Sequence, residues 1–260
     1  MTSLRQAGWT WTELVMKDQR YRDSRTPGAT PRGGRLLRAT AWAGIAGPVI
    51  FTVSFLAQQQ FRRGEYSPMA EPISALEAGP NGWIQQVTFV VFGVLTMAQA
   101  VGLHRAIAPS PGGFAGPAFL FLTGVGAIIA GVFPLRADAA GATYDPGGHL
   151  AGGMLFFLGS PVAFLLLSTR LRRDPSWRSL SPYAVAAGAA LLGSALVMNL
   201  LVLPEQGPLH SGAGLAQRLI VLALIFPLRV ALGVRQLRLT ARSGPVFDAR
   251  GRVNESVTWR

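Results

Sequence analysis

"HLAGGMLFFLGSPVAFLLLST", residues 149–169, is an uncharged and mostly apolar run that is as long as a bilayer is thick. The hydrocarbon core of a membrane, ~30 Å across, needs about 20 residues of apolar helix to cross it. Five other stretches share this length and character, and the full set is 36–57, 83–103, 114–135, 149–169, 183–203 and 215–235. The sequence therefore predicts an all-α fold, a polytopic membrane bundle with six transmembrane helices.

The basic residues alternate between the two sides of these six spans. The formal net charge is +12, and 19 of the 24 Lys and Arg residues lie in the two termini or in the connections after spans two and four. Connections that stay in the cytoplasm carry an excess of Lys and Arg. We therefore predict a multi-pass protein of the plasma membrane with both termini cytoplasmic. Because this placement accounts for the basic charge, no nucleic-acid partner is predicted, and membrane lipids are the expected partners.

Composition divides the chain into three segments. Residues 1–35 form a basic leader that is predicted to be disordered, with a short helix lying on the inner leaflet as the alternative. Residues 36–235 form one membrane domain, and residues 236–260 form a basic cytoplasmic tail. The chain has no cysteine, so disulfides and thiolate metal sites are excluded. No cofactor and no metal are predicted.

Small residues recur inside the spans at the spacing that lets helix backbones approach closely. Gly124 and Gly131 belong to the third span, and Gly152 and Gly193 belong to the fourth and fifth. Helices in lipid associate by close packing, which favours such residues at their contacts. We predict that these glycines mark helix–helix contacts.

Acidic, histidine and amide side chains collect on the side opposite the arginines. The predicted members of this face are Glu65, Glu71, Ser74, Glu77, Asp138, Tyr144, Asp145, His149, Glu205 and His210, with Gln85, Gln86, Asn199, Gln217 and Arg218 just inside the spans. Polar groups at membrane depth are costly unless they are paired or line a wet cavity. The sequence therefore predicts a polar pocket on the extracytoplasmic side. In the first connection of this face, "SPMAEPISALEAGPNG" predicts a short helix over residues 71–78.

His149 opens the fourth span and allows several kinds of chemistry. With Asp145 or Glu71 it can form a general acid/base pair, and these three are the predicted catalytic residues. With His210 and a carboxylate it can hold a zinc-like ion. Two histidines can also ligate a haem, and a hydrogen-bonded structural histidine is the plainest alternative.

Arg218 interrupts the alternation of charge, because it lies one turn inside the sixth span on the acidic side. A carboxylate partner, an anionic substrate group or simple snorkelling to the interface can each satisfy it. The candidate partners are Glu71, Glu77, Asp138, Asp145 and Glu205. The predicted substrate-binding residues are Arg218, His210, Asn199 and Ser74. With Glu71 three residues before it, Ser74 can also act as a nucleophile, although a capping or surface role is favoured.

Several motifs together resemble the domain of unknown function 998 family. They are "ISALEAGPNGW" before the second span, "GVFP" ending the third, "GGHLAGGMLFFLGSPVAFLLL" across the fourth and "SGAGLAQR" opening the sixth. The resemblance covers about residues 36–235, and Ser74, Gly82, Trp83, Phe133, Pro134, His149 and Arg218 match the family pattern. The acidic residue that follows Phe-Pro is displaced to Asp138. The resemblance implies a six-span bacterial or archaeal membrane protein, and it implies no reaction.

Three functions remain open at this point. The first is an integral membrane protein whose pocket binds a lipid or a small lipophilic molecule. The second is an intramembrane enzyme that uses acid/base chemistry on a lipid or isoprenoid-like substrate. A transporter is disfavoured, because no charged residue is predicted near the middle of any span, where coupling sites usually lie.

Overall fold

The computed structural model describes residues 32–202, 204 and 206–242. The predictions for the leader before residue 32, for the tail after residue 242 and for Glu205 as a partner of Arg218 fall outside these residues.

Within the described residues the predicted spans are helical, except that the third is a helix over Ala115–Val132 and not over the whole of 114–135. The α-helices are α1 (Arg32–Phe61), α2 (Trp83–Ala106), α3 (Ala115–Val132), α4 (His149–Arg173), α5 (Ser181–Val197), α6 (Ala213–Leu219) and α7 (Phe226–Arg242). A π-helical segment, Met198–Val202, extends α5, and a second, Ile220–Ile225, joins α6 to α7. Three short 3₁₀ helices are Ile73–Ala78, Arg178–Leu180 and His210–Gly212.

Six helical runs are long and apolar enough to cross a membrane, which confirms the predicted all-α, six-span class. They are Gly34–Phe61, Trp83–Ala106, Ala115–Val132, His149–Arg173, Arg178–Val202 and His210–Ala241. The last run extends beyond the predicted 215–235 at both ends. A helix satisfies its own backbone hydrogen bonds, so it can continue past the apolar stretch that identifies it.

The connections between spans alternate between two ends of the bundle. Residues 62–82, residues 133–148 and residues 206–209 lie at one end, called here the His149 end. Residues 107–114 and 174–177 lie at the other, called the Arg170 end. The connection 133–148 holds a two-stranded antiparallel hairpin that the sequence did not predict, formed by β1 (Arg136–Ala137) and β2 (Thr143–Tyr144).

Glycines bring α2, α3 and α4 into backbone contact. A Cβ atom on Gly93 would lie 2.5 Å from the Gly124 carbonyl oxygen, and one on Gly126 would lie 2.6 Å from the Gly152 carbonyl oxygen. Neither contact leaves room for a side chain, so the predicted role of these small residues in helix packing is confirmed. At Gly193 of α5 the prediction was wrong, because a Cβ there would meet nothing within 4 Å.

Helix α5 packs against α4 only over part of its length. Towards the Arg170 end, a Cβ on Gly188 would lie 2.7 Å from Leu165 of α4, whereas Gly193 and Gly153 face open space. Only 22% of the residues in the most apolar stretch of this span are buried, against 44–50% in the other five spans. The two helices therefore diverge towards the His149 end and leave a cleft between them.

A buried arginine lies well inside the last span. Arg229 is 1% exposed, its Nε donates to Gln99 Oε1 at 2.9 Å, and its guanidinium lies 4.8 Å from the centre of the Phe92 ring. Its two terminal nitrogens have no hydrogen-bond partner among the described residues. The premise that no span carries a charge near its middle was therefore wrong, because Arg229 lies about four residues from the midpoint of both the predicted span and the observed run His210–Ala241.

Candidate functional site

The connection 62–82 folds back over the His149 end of the bundle through one short turn. The predicted helix over residues 71–78 is instead a 3₁₀ helix, Ile73–Ala78, preceded by Pro72 in an extended conformation. Five successive residues of this helix, from Ile73 to Glu77, are buried. The 3₁₀ helix therefore carries both Ser74 and Glu77 into the protein.

Arg218 holds this connection against the start of the last span. Its terminal nitrogens donate to the Glu71 and Gly214 carbonyl oxygens (3.0 and 2.9 Å), to the Tyr66 hydroxyl (2.5 Å) and to Gln59 Oε1 (3.2 Å). Burial raises the pKa of Tyr66 above its ordinary value, so its hydroxyl is a neutral acceptor. The predicted carboxylate partner is thus replaced by neutral oxygen atoms, and Arg218 positions the connection.

Two glycines fix the backbone on either side of the site. A Cβ on Gly82 would collide with the Glu77 carbonyl oxygen, so only glycine lets the chain turn there into α2. Gly148 has φ = 103° immediately before α4, a conformation that other residues rarely adopt. These turns place Glu77 and His149 beside each other.

Glu77 and His149 form the central contact of the site. His149 Nδ1 lies 3.0 Å from Glu77 Oε2, and the same carboxylate oxygen accepts the Leu135 N–H at 3.2 Å. The Glu77 side chain is fully buried, and Oε1 has no partner among the described residues. Burial raises the pKa of Glu77, and the hydrogen bonds from His149 and Leu135 oppose that rise.

The neighbours of His149 fix which ring nitrogen carries the proton in the neutral form. Nδ1 lies 3.1 Å from the Ala130 carbonyl oxygen as well as beside Glu77, and a carbonyl oxygen can only accept a hydrogen bond. Nδ1 is therefore the donor, which leaves a lone pair on Nε2. That second nitrogen has no hydrogen-bond partner among the described residues, and His149 lines both cavities of the site.

The predicted catalytic partners of His149 have other roles. Asp145 accepts the backbone N–H groups of Gly147 and Leu150 (2.8 and 2.7 Å), which holds its pKa below its ordinary value and caps α4. The Glu71 carboxylate accepts the Ser67 N–H at 2.7 Å. The predicted pairing of His149 with Asp145 or Glu71 is therefore corrected to Glu77, which is 72 residues distant along the chain.

Ser74 and Gln217 complete the polar group around His149. Ser74 lines the same two cavities as His149, and its hydroxyl has no partner among the described residues. Gln217 Oε1 accepts the Ile73 N–H at 2.6 Å, so its amide nitrogen is the free end of the side chain. The sequence analysis placed Gln217 on this polar face but could not predict its contact with Ile73, because that contact joins segments 144 residues apart.

The remaining predicted residues lie further out. Asn199 lines the larger cavity and donates from Nδ2 to the Ala195 carbonyl oxygen at 2.9 Å. His210 Nδ1 lies 3.0 Å from the Val202 carbonyl oxygen in the connection before α6. Within residues 32–202, 204 and 206–242, no three His, Asp or Glu side chains come together as a metal site would require. The zinc interpretation therefore has no ligand set in that part of the chain.

Two cavities meet at His149. The larger, of about 640 Å³, is called here the α4–α5 cleft. It is lined by Pro72, Ser74, Leu135, Asp145, His149, Leu150, Gly153, Met154, Phe157, Leu158, Leu191, Ala195, Met198, Asn199, Ala213, Gln217 and Ile220. The smaller, of about 50 Å³, runs between phenylalanine rings towards Phe92 and Phe226. Arg218, Glu71 and His210 do not line either cavity.

Six apolar helical runs define a multi-pass helical membrane protein. The sequence pattern of the family described as "Protein of unknown function (DUF998)" matches residues 45–234, and the chain belongs to this family. No curated protein and no solved structure matches the chain.

Proposed function

We propose that this membrane protein binds a lipid or another small lipophilic molecule in the α4–α5 cleft. Cavities that hold small molecules have volumes of roughly 300–1,000 Å³ and mostly apolar walls with a few polar groups. The cleft has about 640 Å³, and its polar side chains are gathered at the His149 end. This change from polar to apolar along one cleft is the observation that carries the proposal.

The depth of the cleft suits an amphiphile that lies parallel to the helices. From His149 to Leu158 the lining follows α4 for nine residues, or about 14 Å at 1.5 Å a residue. A polar group would lie near His149, Ser74 and Asn199, and an apolar chain would extend along Met154 and Leu158. Because Leu150, Met154 and Leu158 are exposed, the ligand can enter sideways from the bilayer.

We place the protein in the plasma membrane, with both termini in the cytoplasm. The support for this orientation is the distribution of basic residues, because the Arg170 end carries Arg105, Arg172, Arg173 and Arg178 while the connections of the His149 end carry only Arg62, Arg63 and Arg136. In this orientation the polar mouth of the cleft opens on the extracytoplasmic side.

Lipid cross-linking tests the binding proposal. The protein is reconstituted in vesicles that contain a phospholipid with a photoreactive diazirine in its acyl chain, and cross-linked peptides are mapped by mass spectrometry. We expect cross-links on the α4 face that carries Met154 and Leu158. Ala195→Trp should fill the cleft and remove them, whereas Ala190→Trp, on an exposed part of α5 outside the cleft, should not. Equal cross-linking in the two variants would contradict the proposal.

A second candidate is an intramembrane enzyme that acts by acid/base chemistry on the same kind of molecule. The specific observation that favours it is the Glu77–His149 contact, because a carboxylate on Nδ1 orients the ring and raises the basicity of Nε2. Arg218 plays no direct part in this version, since it lines neither cavity and its terminal nitrogens donate to oxygen atoms of the protein.

Lipid profiling separates the two candidates. A strain lacking the gene is complemented with the wild-type chain, with His149→Asn or with Ala195→Trp. An enzyme should restore a covalently altered lipid species only with the wild-type chain. A binding protein should leave the set of lipid species unchanged in all strains, and that result would exclude the enzyme.

A further inference from the structure

We propose that Ser74, His149 and Glu77 form a nucleophile–base–carboxylate triad for acyl transfer, with the Gln217 amide nitrogen as the donor to the developing oxyanion. The inference rests on the proposed function in one respect, since the α4–α5 cleft would supply the substrate. That substrate is an amphiphile with an ester bond near its polar end.

The first support is the geometry of the 3₁₀ helix Ile73–Ala78. With three residues per turn, side chains three apart project from the same side, about 6 Å apart along the axis. Ser74 and Glu77 are three apart, so both project towards the side on which Glu77 meets His149 at 3.0 Å. An α-helical turn would separate these two side chains by about 60° around the axis.

The second support is the different hydrogen bonding of the two ring nitrogens of His149. Nδ1 is held by Glu77 and the Ala130 carbonyl oxygen, so Nε2 carries the lone pair of a neutral base. Ser74 lines both cavities that His149 lines, and its hydroxyl has no other partner among the described residues. In a triad the base is oriented by a third group and keeps a free nitrogen for the nucleophile. Ser74 Oγ and His149 Nε2 share both cavities without a hydrogen bond between them, so this contact would form when the substrate binds.

The third support is the orientation of Gln217. Its oxygen is occupied by the backbone N–H of Ile73, the residue next to Ser74, so its amide nitrogen is directed elsewhere. Gln217 lines both cavities together with Ser74 and His149. A neutral amide donor beside the nucleophile stabilises the negative oxygen of a tetrahedral intermediate.

The chemistry balances with water as the only co-reactant. Ser74 Oγ attacks the ester carbonyl carbon, its proton moves to His149 Nε2, and the carbonyl electron pair moves onto the oxygen beside Gln217. The intermediate collapses, the ester C–O bond breaks, and the alcohol leaves with the proton from Nε2. Water then gives a proton to Nε2 and attacks the acyl carbon. Ser74 is released with its proton restored, and the product is a carboxylic acid.

A cysteine placed at Ser74 tests whether a base reaches this position. The chain has no other cysteine, so Ser74→Cys reacts with a neutral alkylating reagent at one site. A thiol beside a histidine has a lowered pKa, and we expect alkylation at neutral pH to be about tenfold faster than in Ser74→Cys/His149→Asn. The asparagine keeps a donor near the Nδ1 position. Ser194→Cys, outside both cavities, should react equally with and without His149→Asn.

A fluorophosphonate probe tests the nucleophile directly in the full-length chain. We expect the wild-type protein to be labelled on Ser74, Ser194→Ala to be labelled equally, and Ser74→Ala to lose the label and at least ~100-fold of any long-chain ester hydrolysis. The triad would be overturned if the wild-type protein is not labelled, or if Ser74→Cys is alkylated at the same rate with and without His149→Asn. Lipid cross-linking does not depend on Ser74, so failure of the triad would leave the lipid-binding proposal standing. Loss of lipid cross-linking in a Ser74→Cys protein that is still alkylated faster with His149 present would overturn the lipid-binding proposal alone.

Discussion

At the scale of single residues, the contact between Glu77 and His149 organises the candidate site. Glu77 is a buried carboxylate whose described partners are one imidazole nitrogen and one backbone N–H. Removal of this carboxylate would leave both buried donors without a hydrogen-bond acceptor, which costs free energy.

Removal of this carboxylate should therefore destabilise the protein. We expect Glu77→Ala to lower the free energy of unfolding by about 1.5–3 kcal/mol, since hydrogen bonds to charged groups contribute that much. The measurement is the denaturation midpoint in detergent micelles. Glu65→Ala, an exposed carboxylate of the same connection, should change the free energy by no more than ~0.5 kcal/mol. Similar losses in both variants would show that the buried contact contributes nothing specific.

Asp145 supplies stability that depends on pH. Backbone N–H groups, chiefly that of Leu150, hold its pKa below the ordinary value of 3.8. A carboxyl whose pKa is lowered by folding contributes fully above its unfolded value and loses the contribution as the pH falls through the folded value. We expect the difference in melting temperature between the wild type and Asp145→Ala to be constant near neutral pH and to shrink below 3.8. A difference that grows on acidification would contradict this role.

At the scale of helices and turns, hydropathy predicted the spans because bilayer thickness fixes how many apolar residues a helix needs. The 3₁₀ helix over Ile73–Ala78 was predicted only as an ordinary short helix, because local propensity does not decide between the two forms. In the structure the segment is a 3₁₀ helix with Ile73 to Glu77 buried. Nothing local to His149 could name Glu77 as its partner either, since the contact arises only when two connections fold over the same helix ends.

The crossing of α3 and α4 gives a prediction at this scale. Gly126→Val would drive a side chain into the Gly152 carbonyl oxygen and the Phe156 backbone nitrogen, at 2.6 and 2.9 Å from the new Cβ. Overpacking of this kind costs about 1–3 kcal/mol. Gly193→Val is the matched control, because its Cβ would meet nothing within 4 Å. Equal thermal stability of the two variants in detergent would contradict a close backbone crossing of α3 and α4 at Gly126.

At the scale of the whole molecule, the proposed orientation can be read from the outside of intact cells. The absence of native cysteine makes single-cysteine labelling with an impermeant maleimide unambiguous. We expect Ala139→Cys, exposed at the His149 end, to be labelled in intact cells. Ser176→Cys, exposed at the Arg170 end, should be labelled only after permeabilisation. The reverse pattern would mean that both termini are extracytoplasmic, contrary to the charge distribution.

The class of the molecule was more predictable than its interior. Apolar length and arginine placement are properties of the linear chain, whereas the α4–α5 cleft depends on where α5 leaves α4. Gly188 and Gly193 look alike in the sequence, yet one is in contact with α4 and the other is open. The sequence placed Ser74, His149 and Asn199 at one end of the bundle, where the structure also has them. The contact between His149 and Glu77 could be identified only from the folded structure.

The buried Arg229 has a consequence for how the chain is made. On the scale of translocon insertion, an arginine near the centre of a helix disfavours integration by about 2.5–3.5 kcal/mol. Gln99 and Phe92, which receive this side chain, belong to the second span and are synthesised about 130 residues earlier. The second span, which carries the two residues that contact Arg229, is therefore already in the membrane when the last span is inserted. If residues 210–241 were moved to the start of the chain, this helix would be inserted before Gln99 and Phe92 are made. We expect it to integrate into the membrane less efficiently.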